Sequence, residues 1–180
     1  MRGHMNCKML LAIVSAGAAA CSSGAPPGAP ATSNAPQIQE SNLPAPLQVP
    51  AGNKLALSLD GSGVQVYQCA KGAWSLLEPA ATLSDHGKPV GLHFKGPIWV
   101  STVDGSEVGA APVATVNQDG AVPELLLKAN QTQGDGTFSR VTYVQRLRTQ
   151  GGVAPSGRCP DGIQQALPYT AVYRFWTASG

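Results

Sequence analysis

Residues 138–147, FSRVTYVQRL, decide the fold class. β-Branched and aromatic residues recur there with period two, which places Val141, Tyr143, Gln145 and Leu147 on one face of an extended chain. Residues 169–176, YTAVYRFW, repeat the pattern, with Tyr173 and Phe175 opposing Val172, Arg174 and Trp176. Further strands are predicted at Leu55–Leu59, Val64–Cys69, Val90–Phe94, Ile98–Val103 and Pro112–Val116. Apolar residues come in short runs bounded by Gly, Pro and Asp, and no long amphipathic helix pattern is present. The run Leu125-Leu126-Leu127 fits a buried strand or one helical turn, and periodicity does not separate the two. Short strands with frequent turns predict a single all-β domain over residues 48–177, a sandwich or barrel of antiparallel strands.

The turns claim many of the carboxylates. Five of the ten acidic residues, Asp60, Asp104, Asp119, Asp135 and Asp161, precede glycine. Asp-Gly suits turns because both residues tolerate positive φ. Half the acids therefore have a structural role before any catalytic one.

Upstream of this domain the chain changes character. Arg2 and Lys8 precede the mostly apolar stretch Met9–Ala20, and Ala18-Ala19-Ala20 stands directly before Cys21. That order reads as an export signal over residues 1–20. Its apolar run is too short to span a bilayer. It resembles a bacterial lipoprotein signal, with Cys21 as the lipidated residue after cleavage. Ala18 stands where leucine is commoner. Residues 21–47 carry Pro26, Pro27, Pro30, Pro36, Pro44 and Pro46 among Ala, Gly, Ser, Thr and Asn, and Glu40 is their first charge. This composition predicts a disordered, semi-extended tether. The expected location is the cell envelope, as an outer-membrane lipoprotein held through lipid on Cys21. A secreted or periplasmic protein is the alternative.

Charge and cysteine usage narrow the function classes. The 180-residue chain has 12 basic and 10 acidic residues. Arg2 and Lys8 leave with the signal, so the remaining chain is formally neutral. The densest basic group is Arg140, Arg146 and Arg148. Nucleic-acid binding needs a basic patch or stripe, so no nucleic-acid partner is expected. Cys69 and Cys159 are left as one pair in an exported chain, which predicts a disulfide. Closing so long a loop contributes about 4–5 kcal/mol in the chain-entropy model. No C-x-x-C is present, and neither a metal nor a cofactor is expected.

Candidate chemistry is sparse. Only His86 and His93 follow Cys21, and no G-x-S-x-G elbow accompanies them. Asp85-His86-Gly87-Lys88 reads as a polar turn. His93 lies in an alternating strand. Residues 152–158, GVAPSGR, lack the lysine and hydroxyl of a phosphate-binding loop and read as a loop into Cys159. Trp74, Trp99 and Trp176 fill a core or stack on a ligand.

Several blocks in order carry a family resemblance. They are residues 63–69 (GVQVYQC) with Trp74, Pro79, Ala80 and Leu83; residues 91–99 (GLHFKGPIW) with Asp104-Gly105-Ser106; Pro123–Leu127, residues 143–146 (YVQR), residues 149–152 (TQGG) and Cys159; and residues 168–171 (PYTA) with Tyr173 and Phe175. Together, over Val49–Trp176, they resemble an uncharacterised exported family, domain of unknown function 3455. The resemblance implies no activity. Val100 stands where it implies an acidic residue. A malate dehydrogenase label has been attached to some fungal members, but the chain has neither a G-x-G-x-x-G turn nor a βαβ pattern.

The expected protein is thus a lipid-anchored extracytoplasmic binding or structural module. Trp99 is the expected ligand contact, with His93, Asp104 and Arg146 as polar partners for a small molecule or glycan. The alternative is a secreted hydrolase acting on envelope or extracellular polymers. It needs His86 or His93 beside an ionisable partner in a cleft.

Overall fold

The computed structural model describes residues 38–180. Eight strands form one closed antiparallel ring: β1 (Asn53–Ala70), β2 (Ala73–Asp85), β3 (Lys88–Phe94), β4 (Ile98–Ser101), β5 (Glu107–Gln118), β6 (Ala121–Gln133), β7 (Val141–Gly151) and β8 (Gln164–Ala178). Each strand pairs with its sequence neighbours, and β8 closes on β1. Of the two expected architectures the fold is therefore the barrel. Closure leaves no free sheet edge along the fully paired strands, and eight strands enclose room for side chains or one small ligand.

Leu59, Leu83, Trp99, Val108, Leu127, Val144, Tyr173 and Phe175 belong to the interior cluster. The period-two reading of residues 169–176 holds, since Tyr173 and Phe175 belong to that interior cluster while Arg174 and Trp176 project to the outer wall. The reading of residues 138–147 needs one correction. A β-bulge between Val141 and Tyr143 sends Val141 inward and leaves Tyr143, Gln145 and Leu147 outside. One extra residue reverses every later side chain.

Two further sequence readings change. Leu55–Leu59 and Val64–Cys69 join into one strand, so Asp60-Gly61 is not a turn. A Cβ on Gly61 would lie 2.6 Å from Tyr173 Cε2, so glycine there admits the tyrosine ring to the barrel. Leu125-Leu126-Leu127 lies in β6. Leu125 and Leu127 face the interior, while Leu126 faces an outer cluster, so both faces of the strand are apolar.

That outer cluster corrects the tether boundary. Two 3-10 turns, Glu40–Asn42 and Ala45–Leu47, run over the outer wall. Leu47 is fully buried with Leu126 and Leu147, flanked by Ile38, Leu43 and Val49. Ordered chain thus begins at least ten residues before the expected boundary. Apolar residues scattered among the prolines supply the burial that composition alone concealed. The rest of the expected tether, the signal and Cys21 lie outside the described residues.

One barrel end is capped. The loop between β6 and β7 inserts Phe138 against Phe175, at 4.6 Å between ring centroids. At the other end the expected Cys69–Cys159 disulfide ties the loop between β7 and β8 to the end of β1. Asp161 adds a contact by accepting from Gly72 N at 2.8 Å.

Candidate ligand-binding cavity

β3 and β4 are short. Beyond them β2 and β5 continue with only one neighbour each, β1 and β6 respectively. This leaves a notch in the wall at the disulfide end. A cavity of about 290 Å³ enters there. Leu76, Glu78, Lys95 and Pro112 line its approach, and Gln65, His93, Trp99, Leu127, Arg146 and Tyr173 line it within.

The floor is aromatic. His93 stacks on Trp99, with centroids 4.5 Å apart and planes within 6°. Tyr173 meets both rings, at 5.1 Å and 5.7 Å. The His93 Nδ1–H donates to Ile98 O at 2.9 Å, which fixes the tautomer because a carbonyl only accepts. Burial lowers its pKa to about 4, and the Arg146 charge acts in the same direction. The ring is therefore neutral at pH 7. Tyr173 donates to or accepts from Tyr169 Oη at 3.1 Å, and burial holds its phenol well above the usual range.

Arg146 projects inward from β7. Its Nε and Nη2 both donate to Pro123 O, at 3.0 and 2.8 Å, and it also hydrogen-bonds Tyr173. Among the described residues no carboxylate pairs with it; Glu40 pairs with Arg174, and Asp85 with the exposed His86. Gln65 and Trp99 are each only 1% exposed, yet Gln65 Nε2 and Trp99 Nε1 have no hydrogen-bond partner. A third unpartnered atom, Thr149 Oγ1, belongs to a residue outside the cavity lining.

Three of the four expected ligand contacts, Trp99, His93 and Arg146, therefore share one cavity. Asp104 does not. It sits at the capped end, where its carboxylate accepts from Ser106 Oγ (2.6 Å), Thr137 Oγ1 (2.7 Å) and the backbone N–H groups of both residues (2.9 Å each). The Ser106 hydroxyl, then Thr137, hold its pKa well below the usual carboxylate range. Ser106 Oγ in turn accepts from Phe138 N. Asp104 thus latches the plug, the turn role its Asp-Gly context implies, and lies outside the cavity lining.

The other chemical readings receive little from this geometry. His86 lies in the exposed turn between β2 and β3, with its side chain 93% exposed, far along the barrel from His93. Among the described residues His93 bonds no serine and no carboxylate, and no three metal-ligating side chains converge. His93 covers one face of Trp99 and Tyr173 packs edge-on, so the indole is no open platform for a sugar ring. Sequence reasoning missed Gln65 and Tyr173 as cavity residues. Gln65 carried a signal: a polar residue at an inward position of an alternating strand.

A family described as a protein of unknown function, DUF3455, matches residues 86–177. The chain belongs to this family. No curated protein and no solved structure matches it. The DUF3455 segment runs from the turn before β3 through most of β8 and includes His93, Trp99, Arg146 and Tyr173. Gln65 comes from β1, outside that segment but needed to close the ring.

Proposed function

We propose that this chain is an extracytoplasmic binding module that takes a small molecule into the barrel through the notch beside β3 and β4. One observation carries the reading. Two fully buried donors, Gln65 Nε2 and Trp99 Nε1, are left without partners in residues lining a cavity of about 290 Å³. Buried polar groups are nearly always satisfied, and an exception in a concave apolar site points to a ligand. The barrel supplies the rigid wall, the aromatic floor supplies contact area, and the donors fix orientation.

The reading includes an envelope location with a lipid on Cys21. The basic, apolar and small-residue order before Cys21 supports it, as does a disulfide suited to an oxidising compartment. Lipoprotein maturation would add the acyl chains that stable anchoring requires.

Both parts are open to direct test. Trp99→Ala is expected to weaken the tightest binder from a small-molecule thermal-shift screen by at least tenfold. Unchanged affinity would overturn the cavity as its site. Globomycin is expected to cause precursor to accumulate in the producing cell, and an unaltered processing pattern would remove the lipid anchor.

A further inference from the structure

We infer that the cavity is built for a small organic carboxylate, its apolar body against Pro112, Leu125 and Leu127 and its anionic head toward Gln65, Trp99 and Arg146. This rests on the binding reading above and adds the charge of the ligand. The argument has three parts.

The first is the sign of the unmet demand. Gln65 Nε2 and Trp99 Nε1 are both donors. Each unmet buried donor costs roughly 1–3 kcal/mol, and only an acceptor relieves it. Both atoms are covered by their neighbours, so a ligand meets them through a small shift of the two side chains, and one that brought hydroxyl or ammonium donors alone would leave that demand standing.

The second is charge. Arg146 is a permanent cation among aromatic and apolar groups, and its hydrogen-bond partners are a backbone carbonyl and a phenol. His93, whose ring lines the same cavity, stays neutral at pH 7. Glu78 lines the approach but makes no ion pair with Arg146. A partly buried guanidinium without a counter-ion is costly, and a carboxylate matches its fork. A dianionic phosphate would bring two charges to one cation inside apolar walls. The monoanion is therefore the better fit.

The third is an example within the same molecule. On the outer wall, Gln145 and Arg174 stand beside Trp176, the same three residue types. There Gln145 Nε2 and Arg174 Nη1 donate to the Glu40 carboxylate, at 2.9 and 2.8 Å, and Trp176 Nε1 donates to Gln145 Oε1. That set is completed by a carboxylate from the chain itself. The inner set has the same donor types and no carboxylate.

The test uses the purified full-length chain and two matched probe pairs, 3-phenylpropionate with 3-phenylpropanamide and octanoate with octanamide. Titration calorimetry gives affinity, and the Trp99 indole N–H resonance, assigned by its loss in Trp99→Phe, reports the contact. At least one carboxylate is expected to bind tenfold or more tightly than its amide and to shift that resonance. Arg146→Met is expected to erase the preference, and Arg146→Lys, which keeps the charge, to retain part of it. If amides bind as tightly as carboxylates, or if Arg146→Met leaves the preference intact in a folded variant, the charge assignment is overturned while the binding reading stands. If neither probe class nor a neutral library binds, both fall.

Discussion

The outer and inner walls of the barrel each gather a glutamine, an arginine and a tryptophan, and they treat them in opposite ways. Outside, Glu40 accepts from Gln145, Arg174 and Val49 N, Gln145 Nε2 also reaches Leu47 O, and Trp176 is bonded to Gln145. Arg174 lies 4.9 Å over the Trp176 ring. Inside, Gln65 and Trp99 keep unmet donors, and Arg146 rests on one carbonyl and a tyrosine. A satisfied buried network fixes structure, whereas an unsatisfied one carries a cost the fold retains for another purpose. The first set pins a strap to the barrel. The second belongs to residues that line a cavity.

The sharpest way to break this comparison is to remove the carboxylate that completes the outer set. Glu40→Ala leaves the Arg174 guanidinium buried without its partner, frees Val49 N and leaves Gln145 Nε2 with Leu47 O alone. Breaking such a pair costs about 3–5 kcal/mol. Because Glu40 is partly exposed, the lower end is expected. Arg146→Met, which deletes an arginine lacking any carboxylate, is expected to cost less, about 1–2 kcal/mol, because the loss of its bonds to Pro123 O and Tyr173 is offset by removal of an uncompensated charge. Urea unfolding of the two variants measures both. Equal losses would mean that the two walls are not different in kind.

Why one wall was legible in the sequence and the other was not follows from how each is assembled. Period two placed Tyr173 and Phe175 on the face opposite Arg174 and Trp176, because pleat alternation is a local property, and the fold makes the first face the inner one. The bulge near Thr142 was not legible, since it depends on the register between β7 and β8. Trp99, His93 and Arg146 were singled out by residue type, and barrel closure brings them together. Asp104 was singled out in the same way, yet its Asp-Gly-Ser context already marked a turn. Glu40 was lost in a Pro-rich segment, because its partners Gln145 and Arg174 lie more than a hundred residues away. Gln65 carried a signal as a polar residue in an alternating strand, but only barrel closure shows that its amide Nε2 is left unpaired.

A pH titration sharpens the inner half of the comparison. His93 titrates at about 4 in the fold, against 6.5 when exposed. Between those values the unfolded chain binds more protons than the folded one, so stability falls as pH drops through that window. The full linkage is about 3 kcal/mol. Arg146 faces the ring and its charge persists throughout, while Trp99 does not titrate and the Tyr173 phenol stays protonated. Asp104 adds a separate acid loss, since a carboxylate held below its usual range gives up its stabilisation on protonation. Unfolding free energies from pH 7 to pH 4.5 are expected to decline for the native chain and to decline less for His93→Phe. Parallel curves would show that the buried ring is not the source.

The smallest effect is the most discriminating. Gln65→Leu replaces a buried amide with an apolar side chain of similar size at a position where the Nε2 donor has no partner. Removing an unmet donor is expected to leave stability unchanged or raise it, by at most about 1 kcal/mol. Gln145→Leu, which loses bonds to Glu40, Leu47 O and Trp176, is expected to be destabilised. Thermal unfolding of the two variants, with carboxylate affinity measured on Gln65→Leu, separates structure from binding. A stable Gln65→Leu with weakened affinity assigns the amide to the ligand. A Gln65→Leu protein as destabilised as Gln145→Leu would place Gln65 among the structural groups and leave Trp99 and Arg146 alone at the cavity floor.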